Sequence, residues 1–302
     1  MLVRTIACRT LLNRTGGFLS AFTHTLNPYG GCSYGSTLCG MPDYAPEILR
    51  ARGERRPWGS WLDVKDNAPQ VYEAEHDRIR RSTKPDLRIY MSSVTDPYVP
   101  QERRYRVTRR LLRAMIERPP DVLALQTHTP CPLWDLEALE SLAARCRLSV
   151  QISVETDCED LGPGFPRHAF TVESRLAALA QLKEAGLHAV GVVAPLWPLD
   201  DPAGFARRLE RACSFVVLDH YLLGDGSPGG ARTARREVAP GETFPQRLCA
   251  AGFASWTTLQ TFEGVAGIFR GILGERLGIS REGFARAAGL GVTGARIISE
   301  DP

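Results

Sequence analysis

Cys32 and Cys39 stand seven residues apart in the stretch Asn27-Pro28-Tyr29-Gly30-Gly31-Cys32-Ser33-Tyr34-Gly35-Ser36-Thr37-Leu38-Cys39-Gly40-Met41-Pro42-Asp43-Tyr44-Ala45, and Asp43 follows four residues after Cys39. Thiolates hold soft metals and iron–sulfur clusters, and a carboxylate adds a harder oxygen donor. Glycine lets the backbone of such a loop approach an inorganic group closely. The chemistry suggested is therefore a cluster or metal site on Cys32, Cys39 and Asp43, with a mononuclear zinc ion as a rival occupant. Cys8, Cys131, Cys146, Cys158, Cys213 and Cys249 are scattered and read as structural thiols.

A second set of chemical groups sits where short apolar runs end. These ends read Ser92-Ser93-Val94-Thr95-Asp96, Gln126-Thr127-His128-Thr129, Glu155-Thr156-Asp157, Ala194-Pro195-Leu196-Trp197 and Asp219-His220. Glu155 closes the apolar run 150–154, where a carboxylate is costly without a partner. Ligand contact and a buried ion pair both answer that cost. Ser92, Ser93 and Thr95 offer hydroxyls either to a ligand or to the next helix as caps. His128, Asp219 and His220 fall at the same end, where a histidine also serves as a plain hydrogen-bonded structural residue. The basic run of Arg103, Arg104, Arg106, Arg109, Arg110 and Arg113 reads as a solvated helix face. Residues 224–232 read as a Gly-rich loop able to close over a ligand.

The elements that must position these groups alternate regularly. Strand patterns fall at residues 20–25, 87–92, 122–126, 148–154, 189–194 and 215–218, with helical spacing at 101–117, 133–145, 172–185 and 202–212. Such alternation means parallel strands joined by right-handed crossovers. Polar residues recur at the strands' C-terminal ends, the face that carries chemistry in barrels. The expected fold is thus α/β, an incomplete (β/α)6 barrel of the TIM type over residues 1–223. It carries an insertion at 41–85 and a loop and helical cap at 224–302.

With 302 residues, 43% hydrophobic, the chain has material for a sizeable core. Its 37 basic and 34 acidic residues leave a formal charge of +3, too balanced to argue for nucleic acid by itself. Arg4, Arg9 and Arg14 interrupt any secretory pattern, and no apolar run is long enough to span a membrane. A cytoplasmic protein with reduced thiols is expected.

Taken together the motifs resemble the radical S-adenosylmethionine superfamily, in its spore photoproduct lyase-like branch. The resemblance runs through Leu12-Asn13-Arg14, Thr25-Leu26-Asn27-Pro28-Tyr29 and Trp58-Gly59-Ser60-Trp61-Leu62-Asp63-Val64-Lys65. It continues through Thr95-Asp96-Pro97-Tyr98, Glu102-Arg103-Arg104-Tyr105, Thr108-Arg109, Ser153-Val154-Glu155-Thr156 and Asp219-His220. It implies a [4Fe–4S] cluster and S-adenosylmethionine as cofactors, with 5′-deoxyadenosyl radical chemistry on an unidentified small-molecule or peptide substrate. A flavodoxin- or ferredoxin-like reductant would supply electrons.

The family's commonest spacing would place Ser36 at the middle ligand and Cys39 at the last. A variant spacing keeps Cys32 and Cys39, puts Asp43 where a third cysteine belongs and sets Tyr44 after it. The resemblance further assigns Ser92, Ser93 and Thr95 to the methionine end of the cofactor, Glu155 to its ribose and Ala194 to its adenine. With an aspartate in the third position, a catalytically retired barrel that binds a ligand or partner is the alternative. Repair of a DNA photoproduct is a further one.

Overall fold

The computed structural model describes residues 1–35, 53–162, 165, 169–220, 237–239 and 241–291. Its main sheet has eight strands, in the order Leu277–Ile279 (β13), Phe215–Leu218 (β10), Ala189–Val193 (β9), Arg147–Ser153 (β8), Val122–Thr127 (β7), Arg88–Met91 (β6), His24–Leu26 (β3) and Asn13–Arg14 (β2). Every pairing from β3 through β13 is parallel, and β2 closes that edge antiparallel to β3. Helices lie in the crossovers: Glu102–Tyr105 (α2) and Val107–Glu117 (α3), Leu136–Ala143 (α4), Val172–Glu184 (α5), Pro202–Ala212 (α6) and Leu259–Leu273 (α8). The remaining helices are Ala68–Arg80 (α1), Phe244–Ala250 (α7) and Ser280–Ala287 (α9). None of the described helices is long and apolar enough to cross a membrane.

The sheet buries both faces, as parallel sheets must. Side chains alternate along each strand. Ile89, Met91, Leu123, Leu125, Val150 and Ile152 share one core with Leu111, Leu139, Leu179 and Leu209 of the helices. The opposite face contributes Tyr90, Ala124, Val190, Val192, Phe215 and Val217 to a second core, covered by Phe22 and by Phe284 of α9. Phe22 and Phe284 meet Tyr90 edge-on at ring separations of 5.1 and 6.1 Å. Farther along β8 that inner face turns polar, through Ser149, Gln151 and Ser153, before it reaches Glu155.

A smaller sheet is formed by Leu2–Ile6 (β1), Trp61–Lys65 (β5) and Tyr29–Gly31 (β4). β5 runs parallel to β1 and antiparallel to β4, so it shapes the approach to Cys32. This strand falls inside the segment read from sequence as an insertion, and its motif is architectural. Gly31, at φ +72°, lies flat against Trp61; a Cβ there would stand 2.6 Å from both Trp61 Cε3 and Trp61 O. Gly59 and Gly35, both at positive φ, also touch: a Cβ on Gly59 would lie 2.9 Å from Gly35 Cα.

Five of the six expected parallel strands are present with small shifts in their ends, the first, expected at 20–25, is confined to His24–Leu26, and two further features differ. The C-terminal segment, read as helical, supplies β13 as a seventh parallel strand. The expected helix 101–117 breaks at Arg106, whose φ of +50° separates α2 from α3. Its cause is Glu102, whose carboxylate accepts from the backbone of Thr108 and Arg109, each at 3.1 Å, and so caps α3.

Gly31→Ala is expected to cost about 2–4 kcal/mol, from left-handed strain plus overpacking against Trp61. Gly267→Ala, in α8 with open space around it, is expected to gain up to about 1 kcal/mol. Urea midpoints of the two variants check the contrast; a neutral Gly31→Ala contradicts the packing described.

Candidate active site

The segments that follow β3 and β6–β10 lie at the C-terminal end of the sheet, and side chains stitch several of them together. Asn27, just past β3, accepts through Oδ1 from Val94 N at 3.0 Å and Thr95 N at 3.2 Å. Its own carbonyl takes the Lys65 ammonium at 2.6 Å. Tyr29 donates its hydroxyl to Glu102, a carboxyl whose pKa burial raises above its ordinary value. Ser33 Oγ donates to Gln101 Oε1 at 2.8 Å, and Tyr34 donates to Tyr98 O at 2.9 Å. The entry to the cysteine loop is therefore fixed on three sides by the segment 94–102.

Cys32 is buried in this frame, 5% exposed, directly after β4. Cys39, Asp43, Tyr44 and the alternative ligand Ser36 lie outside the described residues. Among the described residues no group of three His, Cys, Asp or Glu side chains is arranged to hold a metal ion. The described part of the loop nevertheless fits a cluster in donor type and place. A thiol sits at the strand-end face, and Gly31 before it could not carry a side chain against Trp61. Ser92 follows β6 with φ +77°, a conformation non-glycine residues seldom adopt and one found at functional sites. Its amide donates to Leu26 O at 2.7 Å, and its hydroxyl has no hydrogen-bond partner among the described residues. Ser93 is half-buried and Thr95 buried beside it.

From the next strands a line of charged groups crosses the site. Arg175 of α5 and Glu155 after β8 are both fully buried, with Nη1 and Oε2 2.9 Å apart. Glu155 Oε1 lies 3.1 Å from Nε2 of His128. The histidine's Nδ1 lies 3.6 Å from Asp96 Oδ2. Asp96 in turn accepts from Tyr98 N at 2.8 Å, Thr127 Oγ1 at 2.9 Å and His128 N at 2.8 Å. Of the four, His128 is the accessible member, its side chain 27% exposed.

Sequence reasoning singled out Glu155 and the strand-end hydroxyls. The structure gives Glu155 a buried ion pair with Arg175. Arg175 went unnoticed; the available signal was an arginine beside Leu176 and Leu179 on the buried side of a helix. His220, expected at the mouth, instead donates Nε2–H to Trp256 O at 3.1 Å and packs on Phe262 at 5.4 Å. Burial lowers its pKa below 6.5, and the carbonyl bond partly offsets that shift. Ala194 is half-buried against the inner-face core. Trp197 is buried among Phe165 and Phe244, with ring separations of 5.5 and 5.6 Å, so it anchors α7 to the loop after β9.

No family model matches the chain. An uncharacterized protein of Methanocaldococcus jannaschii is 26% identical over 175 residues, covering 58% of this chain and 61% of that protein. An uncharacterized protein of Mycobacterium tuberculosis is 25% identical over 200 residues, 64% of this chain and 55% of its own length. The match thus spans little more than half of these relatives. Among solved structures, spore photoproduct lyase shares the fold. A mutant with bound AdoMet and dinucleoside spore photoproduct superposes over 93% of this chain and 81% of its own, with TM-score 0.59 and 11% identity. A second mutant covers 92% and 81% at TM-score 0.58 and 12% identity. The shared architecture is α/β with parallel strands, as the sequence pattern indicates.

Two outcomes follow. Arg175→Met leaves Glu155 buried without its cation and should cost about 3–5 kcal/mol, read by urea denaturation; a loss under about 1 kcal/mol contradicts the buried pair. His220 protonates less readily folded than unfolded, so its contribution is intact above pH 6.5 and lost as pH falls below it. Unfolding free energy between about pH 8 and about pH 5.5 should therefore fall less steeply in His220→Gln than in the parent. Equal slopes contradict this.

Proposed function

We propose that the chain is a radical S-adenosylmethionine enzyme built on a partial barrel, with Cys32, Cys39 and Asp43 as ligands of a [4Fe–4S] cluster. The observation that carries this reading is the convergence of Cys32 with the loops after β6, β7 and β8 at one end of the parallel sheet. That sheet belongs to a fold shared with spore photoproduct lyase, a mutant of which is solved with bound AdoMet. The chemistry that a cluster supplies when bound there is one electron for reductive cleavage of S-adenosylmethionine, giving a 5′-deoxyadenosyl radical able to abstract hydrogen from a substrate.

The chain's own residues would bind and orient the cofactor. Ser92, Ser93 and Thr95 lie on a loop held by Asn27, and they offer hydroxyl groups for the methionine end. Glu155, locked by Arg175, sets the polar wall of the next strand end, and Ala194 offers an apolar surface for adenine. An aspartate in the third ligand position gives a cluster with one hard oxygen donor, which binds iron less firmly than a thiolate and shifts its potential. The electron donor would be a flavodoxin- or ferredoxin-like protein, and the substrate a small molecule or peptide.

Anaerobic reconstitution tests the reading. The parent chain should take up about four irons and about four sulfides. With S-adenosylmethionine and a strong reductant it should release 5′-deoxyadenosine. Cys32→Ala should abolish both, and Asp43→Cys should retain iron more firmly on dilution. Absence of iron in the parent together with uptake by Asp43→Cys would point to the retired barrel instead.

A further inference from the structure

We infer that the surface formed by Arg103, Arg104, Arg106 and Trp134 docks an acidic electron-transfer protein that feeds the site at the cysteine loop. This rests on the radical-enzyme reading above and names the face that its reductant uses. Arg103 and Arg104 of α2 and Arg106 at its end are all exposed, and none has an ion-pair partner among the described residues. The neighbouring acids do not neutralise them. Glu102 and Asp135 are buried, the first engaged by Tyr29 and the α3 backbone and the second by Arg109. Asp66 is taken by Arg110. Glu137, at the start of α4, is exposed and offsets at most one of the three charges.

Beside these cations Trp134 stands 39% exposed. Its ring has the Arg103 guanidinium 5.0 Å above it and meets Tyr98 edge-on at 6.3 Å. Tryptophan and arginine together are the side chains that most often anchor a protein–protein interface. The place of the patch is as telling as its composition. Gln101, one residue before α2, accepts from Ser33 next to Cys32, and Tyr98 O accepts from Tyr34. Burial raises the Tyr34 phenol above its ordinary pKa, and Arg103 is near enough to oppose that shift. The cations therefore stand on the segment that holds the cysteine loop.

Electron transfer between proteins weakens steeply with distance, so a donor must dock beside the group it reduces. One electron passes: the donor's reduced centre is oxidised, the cluster is reduced, and no bond forms or breaks. Charge complementarity selects a donor with an acidic face. A nucleic-acid backbone is better matched by cations spread along a groove, with aromatic faces open for base stacking. Here the cations are clustered and Arg103 lies over the ring.

The probe is a reduced ferredoxin of net negative charge, mixed anaerobically with the reconstituted chain. Stopped-flow absorbance gives the second-order rate of cluster reduction, and calorimetry with the oxidised ferredoxin gives its affinity. At about 0.01 M salt, Arg103→Gln/Arg104→Gln/Arg106→Gln should slow reduction and weaken binding by about tenfold. At about 1 M salt, where screening is short-ranged, the variant and parent should converge. Arg207→Gln/Arg211→Gln/Arg270→Gln removes the same charge from exposed positions on α6 and α8 and should leave both readings near the parent's. Reduction by dithionite, which needs no docking face, should also be nearly unchanged in the first variant. Circular dichroism checks that each variant is folded. Equal losses in the two triple variants, or no loss in the first, overturns the proposal. So does salt-sensitive binding of a DNA oligomer that the first variant loses while its ferredoxin rate stays at the parent's, which assigns the patch to nucleic acid. Iron content of the same samples separates the two readings. A loaded cluster with no effect of the patch sinks only the docking face, whereas a parent chain without iron sinks the radical-enzyme reading and the docking proposal with it.

Discussion

The Arg175–Glu155 pair is the constraint on which the strand-end face depends. Two fully buried opposite charges are stable only if each is well matched, because desolvating either is expensive. Arg175 also donates to Ser153 O at 2.8 Å, so the pair joins α5 to the end of β8 as well as to Glu155. Through His128 and Asp96 the same line reaches the ends of β7 and β6. Four consecutive polar groups therefore register three strand ends and a helix, and the mouth of the sheet is a fixed surface.

A second, independent clamp holds the cysteine loop to that surface. Glu102 caps α3, takes the Tyr29 hydroxyl and is itself buried, so the kink at Arg106 and the path of β4 are one arrangement. Arg109, on the first turn of α3, pairs with the buried Asp135 and ties this clamp to the segment after β7. The apparent charge run on this helix thus divides by role: Arg109 is a structural partner, and Arg110 reaches the exposed Asp66 at 2.8 Å.

The strands and helices from β6 to β10 were legible because each has a strong apolar run or a helical stripe bounded by turn residues. Leu277-Gly278-Ile279 was not, being too short for alternation to register, and its place depends on pairing with β10. The motif around Trp61 was visible as a motif, yet its meaning is backbone packing against Gly31, which only three-dimensional contact reveals. Glu155 was readable as a carboxylate in an apolar setting, but its partner was not, since Arg175 is 20 residues away on another element. His128 and His220 looked alike at strand ends; alternation along the strand and the burial of His220 against α8 separate them.

A cluster held at the loop of Cys32 would lie next to the fixed strand ends proposed to bind the cofactor. Electron paramagnetic resonance of the anaerobically reconstituted, reduced chain, recorded before and after S-adenosylmethionine is added, tests that claim most directly. The expected result is a reduced-cluster signal whose g-values shift when the cofactor binds. A chain that shows no such signal, or one that S-adenosylmethionine leaves unchanged, contradicts it.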